Sequence, residues 1–217
     1  MKLLSVNVGL PREVISKGRV VTTGIFKEPV EGLVRLRVLN LDGDRQADLK
    51  VHGGVHKAVY AYPAEHYHYW RRELPEVELL WGMFGENLTT EGLLESEVNI
   101  GDQFRIGSAE LIASQPRLPC YKLAVKFARD DIIRLFLESR RTGFYFAVLK
   151  EGEVRAGDSI ELISSEAHKV TVAEITRLYL DGKDDLEGLN RALRVEALPD
   201  SWKTHFERHL EKLRPAD

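Results

Sequence analysis

Apolar and polar residues alternate in short runs along the first two-thirds of the chain. They recur at helical spacing in the last quarter, so strands come first and helices close the sequence. Residues 3–8 alternate weakly and run into Gly9 and Pro11, a strand entering a turn. Val20, Val21, Thr22 and Thr23 form a β-branched run stopped by Gly24. "LVRLRVLNL", Leu33 to Leu41, predicts a half-buried strand with Arg35 and Arg37 on one face. "YPAEHYHYWRREL" then changes the period. Pro63 suits a first helical turn, Tyr67, Trp70 and Leu74 share one face, and His66 and His68 read as solvated.

Two segments echo each other, "VNIGDQFRIGSAELIA" and "VRAGDSIELI". In each a Gly-Asp turn precedes an alternating strand, the pattern of a compact β-barrel with tight turns. Between them "CYKLAVKFARDDIIRLFLESRRTG" places Leu123, Phe127, Ile132, Ile133, Phe136 and Leu137 at helical spacing, with Gly143 as the stop. From about Ser165 onward three helical patterns follow, over 171–180, 186–195 and 199–213. Thr171 with Glu174 makes a capping box, and Asp181-Gly182 ends the first. The expected class is α+β, a mainly β-barrel domain over 1–164 and a three-helix domain over 165–217.

Composition narrows the function classes. The chain has 217 residues, 43% hydrophobic and 30% charged, with a net charge of −3. That balance argues against a non-specific nucleic-acid coat. No apolar run is long enough to span a bilayer, and the N-terminus lacks the apolar core of a signal peptide. One cysteine in such a chain fits a reducing cytoplasm. The helices near 171–195 have roughly helix-turn-helix spacing, but the acidic "LDGKDDLEG" disfavours phosphate contact.

Three segments carry candidate chemistry. In "KVHGGVHKAVYAY" paired glycines let backbone N–H groups approach an anion, with His52, His56 and Lys57 as further donors. The same pattern is that of a β-bulge or hairpin turn. A zinc site from His52 and His56 is disfavoured, since Gly53 and Gly54 break any helix that would align them. In "FGENLTTEGL" Asn87 either meets a ligand edge or caps a turn. In "SQPRLPCYKL" Pro116 and Pro119 stiffen a loop holding Arg117 and Cys120, and a helix starts beside the thiol. With Arg117 and Lys122 near, thiolate is favoured, although a buried cysteine that packs like alanine fits as well.

These three segments, in this order, resemble the motifs of the MOSC domain family, from about Gly24 to Ile163. The tail resembles the three-helix domain of the YiiM-like branch. The resemblance implies a barrel like that of the pyruvate kinase barrel domain and a pocket for a molybdenum cofactor (molybdopterin). It implies Cys120 as the metal ligand and a catalytic residue, with His52 and Lys57 beside it. Gly53, Gly54, His56, Asn87, Arg117 and Lys122 are the implied cofactor-binding residues. The implied activity is reduction of N-hydroxylated compounds such as hydroxylaminopurines, with electrons from a separate reductase. The other reading is a sulfur-carrier or cofactor-delivery module with a persulfide on Cys120. A homodimer is allowed, and no membrane or nucleic-acid partner is expected.

Overall fold

The computed structural model describes residues 1–48, 53–182 and 184–213. The order is β1 (Lys2–Val8), β2 (Arg12–Ser16), β3 (Arg19–Thr23), β4 (Glu28–Val30), β5 (Val34–Leu36), a 3-10 turn (Val55–Lys57), β6 (Val59–Pro63) and α1 (Glu65–Glu73). Then come β7 (Leu88–Glu91), β8 (Gln103–Ile106), β9 (Ala109–Pro116), α2 (Tyr121–Phe127), α3 (Ile132–Ser139), β10 (Phe144–Lys150), β11 (Gly152–Val154) and β12 (Ile160–Ser164). The tail holds α4 (Val172–Leu180), α5 (Leu186–Leu193) and α6 (Asp200–Leu213).

Eight strands form one sheet in the order β12-β8-β9-β10-β6-β7-β1-β4, with β11-β5 and β2-β3 as separate pairs. Every pairing is antiparallel except β6 with β7. A parallel neighbour needs a crossover, and α1 with the loop after it supplies one.

The expected closed barrel is corrected. The first residues of β1 meet the head of β12 through one bridge, Lys2 to Ser159, and three backbone bonds, including Gly157 N–H to Leu3 O at 2.7 Å. No continuous ladder follows, so the sheet stays open with β4 and β12 as its edges. That gives the pyruvate kinase likeness no support.

The Gly-Asp echo is a repeated turn. Gly101 and Gly157 have φ of 100° and 97°, a region that favours glycine. In both turns the aspartate accepts from the backbone N–H three residues earlier: Asn99 to Asp102 at 2.9 Å and Arg155 to Asp158 at 2.9 Å.

β6 is buried on both faces, and so largely is the start of β10, because two cores flank them. Val59, Ala61, Phe144 and Phe146 face one core; Tyr60, Tyr62 and Tyr145 face a second, with Trp70, Phe84, Phe127 and Phe136 under α1, α2 and α3. The first core runs on without a break into the tail through Val170, Ile175, Leu189, Trp202 and Phe206. Thr171 caps α4 by accepting from Glu174 N–H at 3.1 Å, one half of the expected capping box, while the Glu174 carboxylate pairs with Arg191.

Four local expectations change. Pro63 is the last residue of β6 and not in the first turn of α1, which starts at Glu65 after Ala64. The strand over 33–41 is only Val34–Leu36; the chain then turns back, with Arg37 N–H to Asn40 O at 2.8 Å and an isolated bridge from Leu36 to Leu41. The helical run after Cys120 is two helices, because Ala128 takes the left-handed conformation (φ 51°) and Arg129 binds Asp131 with both arms. His66 is buried, its Nε2 2.7 Å from Glu95 Oε2, while Glu95 Oε1 accepts from Gly143 N–H at 2.7 Å.

α2 is pinned by Lys126, whose Nζ donates to Ile25 O at 3.1 Å and Gly82 O at 2.6 Å. Burial lowers its pKa to about 8. Below that pH the lysine is charged both folded and unfolded, and the burial penalty is fully present. Between about 8 and 10.5 the folded state sheds its proton first, so the penalty is relieved as pH rises. Wild type is therefore expected to gain stability relative to Lys126→Met between pH 7.5 and 10, read as the difference in urea midpoints.

Candidate functional site

Cys120 ends the loop that leaves β9. It is the residue before α2, with extended backbone (φ −122°, ψ 170°), and its carbonyl accepts from Leu123 N–H at 2.9 Å. Its thiol is unbridged and partly exposed. The two prolines and the helix start hold it at the mouth of a cleft of about 590 Å³, open mouth included.

The described lining of that cleft is cationic. Lys27, Arg45, Lys57, Arg117 and Lys122 contribute, together with Tyr60, Asn87, Tyr145 and Cys120, and no carboxylate does. A cleft whose described charged lining residues are all cations is suited to an anion. Arg117 is the most committed of the five. It is 5% exposed, its guanidinium lies 5.2 Å from the Tyr60 ring centre and 5.1 Å from that of Phe136, and its backbone N–H reaches Gly143 O at 3.2 Å. Its Nη1 is buried with no hydrogen-bond partner among the described residues. A buried donor left unmet costs stability, and a ligand group that met it would remove that cost. Burial opposes the Arg117 charge, but the Tyr60, Tyr145 and Cys120 groups outweigh it and raise the pKa.

Lys27 is neutralised by Asp44, a buried pair; Asp44 also accepts from Gly9 N–H at 2.9 Å and Asn87 Nδ2 at 2.9 Å. Burial nevertheless lowers the Lys27 pKa. Both Asn87 side-chain donors are engaged inside the fold: the second reaches Asn7 O at 3.3 Å, and its Oδ1 accepts from Tyr60 N–H at 3.1 Å. It holds the cleft wall, and its free capacity toward a ligand is one lone pair.

The structure thus brings Cys120, Lys57, Asn87, Arg117 and Lys122 to one cleft. Gly53, Gly54 and His56 are not among its described lining residues. Gly54, at φ 98°, launches the 3-10 turn that carries Lys57 inward. The His56 side chain is exposed and its carbonyl accepts from Ser114 Oγ at 2.7 Å and Gln115 Nε2 at 2.9 Å. His52 lies outside the described residues. Burial lowers the Lys57 pKa. Tyr60, Tyr145 and the Lys27–Asp44 pair were missed by local reading. Strand alternation in β6 and β10 could have found the tyrosines, since they oppose the residues facing the first core.

The chain matches the MOSC domain over residues 48–161 and the YiiM-like 3-alpha helix domain over residues 170–213. YiiM of Escherichia coli is 42% identical over 182 residues, 83% of this chain and 81% of that one. The chain belongs to the MOSC domain family. Its YiiM-like architecture extends to the solved structure of YiiM from Geobacillus stearothermophilus. That structure is similar at 32% identity with a TM-score of 0.81, covering 96% of this chain and 98% of the other. A Gibberella moniliformis protein named Reductase is 34% identical over 164 residues, 74% of this chain but 29% of its own length.

The MOSC cleft also explains what is not built here. Among the described residues no group of three or more His, Cys, Asp or Glu stands together to hold a metal ion. A metal at Cys120 would need most of its ligands from a bound group. A dithiolene-bearing cofactor with an anionic tail fits that donor set: a single cysteine sulfur for a soft metal, an unmet buried arginine donor, and cations. No described helix is long and apolar enough to cross a membrane.

Proposed function

We propose that this MOSC protein is an oxidoreductase that holds a molybdenum cofactor in the cationic cleft and reduces N-hydroxylated compounds such as hydroxylaminopurines. The observation that carries it is the unmet Arg117 Nη1 in a cleft lined by cations and the single thiol. The relative named Reductase supports the oxidoreductase class. Cys120 would ligate the metal as thiolate; Arg117, Lys122 and Arg45 would hold the anionic end. When bound, the cofactor supplies the electron chemistry. Reduction of N–OH to N–H consumes two electrons and two protons and releases water. Lys57 Nζ, its pKa lowered by burial, is the described group at the cleft best suited to give up a proton to the leaving oxygen. The sequence carries no recognised flavin or nicotinamide motif, so a separate reductase of the reducing cytoplasm would feed the electrons.

The test is expression in cells that make the cofactor, followed by assay of molybdenum, pterin and hydroxylaminopurine reduction. Wild type is expected to carry metal and pterin and to reduce the substrate. Loss of a residue that merely supports a metal ligand costs about 10–100-fold, so Cys120→Ala is expected to lose about a hundredfold or more. Wild type carrying neither metal nor pterin would overturn the reading. So would equal activity in the two proteins. A persulfide on Cys120 without molybdenum would favour the sulfur carrier instead.

A further inference from the structure

A second cleft, about 940 Å³ with its mouth, shares Cys120, Lys57 and Tyr145 with the first. Whatever enters it meets the same thiol from another approach. Its chemistry differs. Apart from Lys57, its only described ionisable lining beyond the shared cysteine and tyrosine is Tyr179 and His205, and its sheet wall is Gln115, Pro116, Leu118 and Pro119. The facing wall comes from the tail: Tyr179 of α4, and Ser201, Trp202 and His205 of α6.

That aromatic wall is fixed in place. Trp202 Nε1 donates to Gln115 Oε1 at 2.7 Å, and Gln115 Nε2 donates to His56 O at 2.9 Å, so α6 is tied to the turn bearing Lys57. The Tyr179 ring lies 5.2 Å from that of Trp202 and 4.8 Å from that of His205. His205 Nε2 is buried and has no hydrogen-bond partner among the described residues. Burial, then the positive charges of His209, Arg208 and Lys212, lower the His205 pKa, which favours a neutral ring able to donate or accept by choice of tautomer.

We propose that this second cleft is the substrate site, and that the three-helix domain is its recognition wall. A flat N-hydroxylated heteroaromatic ring lies against Tyr179 and Trp202, its edge completes His205 Nε2, and its N–OH group is directed toward Cys120. Two clefts of opposite character meeting at one thiol divide the work: the cationic one takes an anionic cofactor, the aromatic one an uncharged ring. The N–OH chemistry rests on the proposed function, but the ring site does not, because it stands on the cleft's own walls.

The test is isothermal titration of the full chain, purified with and without cofactor, using 6-hydroxylaminopurine. Stacking on an aromatic side chain is worth enough that Tyr179→Ala is expected to bind about tenfold more weakly, while Tyr179→Phe binds as wild type. His205→Ala is also expected to weaken binding by about tenfold, through the lost hydrogen bond. Molybdenum and pterin content should be unchanged in all three variants. Wild type from cofactor-making cells that carries neither molybdenum nor pterin, yet binds the ring and loses it in Tyr179→Ala, would sink the reductase reading and support the ring site. No binding heat with wild type in either form overturns the proposal. So does equal affinity across wild type, Tyr179→Ala and His205→Ala.

Discussion

Asp44→Ala is expected to cost about 3–5 kcal/mol of folding stability, the largest loss of any substitution near the cleft. The Asp44 side chain has no exposed surface and that of Lys27 is 9% exposed. Removing the carboxylate leaves three donors behind: Lys27 Nζ, Gly9 N–H and Asn87 Nδ2. Two are neutral and lose a hydrogen bond each. The third is a charge whose burial is already costly, since desolvation lowers the Lys27 pKa even with Asp44 present. Without Asp44 the lysine must deprotonate or admit water. Asp44→Asn keeps two acceptor lone pairs and should lose less. The double variant Asp44→Ala, Lys27→Met should recover part of the loss, because it removes the stranded charge. Urea midpoints of the four proteins check this; a cost under about 1 kcal/mol for Asp44→Ala would mean the pair is no better than a surface one.

Asp44 also shows where sequence reading stops. Its partners come from positions 9, 27 and 87, which no local pattern connects. Elements with local causes were legible. The cap at Thr171, the twin Gly-Asp turns and the Tyr67–Trp70–Leu74 face all appear where chain periodicity placed them. The parallel β6–β7 pairing was not legible, because it depends on a crossover rather than on either strand's residues. His66 misled for the same reason. It sits on a polar-looking helix stretch, and only the fold brings Glu95 to it. At the site, Cys120 and its helix start were readable, but the aromatic wall from the tail was not. Tyr179 and Trp202 look like ordinary core positions at helical spacing, and Trp202 does pack in the core while its indole N–H reaches Gln115.

Arg117→Met is expected to move stability and ligand retention in opposite directions. The guanidinium is held between two aromatic rings with one nitrogen unmet, so the cofactor-free protein carries a desolvation cost at this position. Methionine fills a similar apolar volume without a polar tip. Even a complete buried ion pair can often be replaced by apolar groups of similar volume at no cost or with a gain of about 1–4 kcal/mol, and the described residues give Arg117 no ion-pair partner to lose. The cofactor-free variant should therefore melt at the same temperature as wild type or higher. Removing a buried charge that pairs with a ligand costs about 2–5 kcal/mol of affinity, so the variant should emerge with little pterin and molybdenum. Arg117→Lys separates charge from shape. It keeps the cation but loses the fork that reaches between the rings, and should retain less cofactor than wild type but more than the methionine variant. The pair of measurements is decisive because a purely structural arginine predicts the reverse: a lower melting temperature with cofactor content unchanged per folded molecule. A cofactor-loaded Arg117→Met protein that melts early would make Arg117 a structural residue and detach the unmet nitrogen from the function.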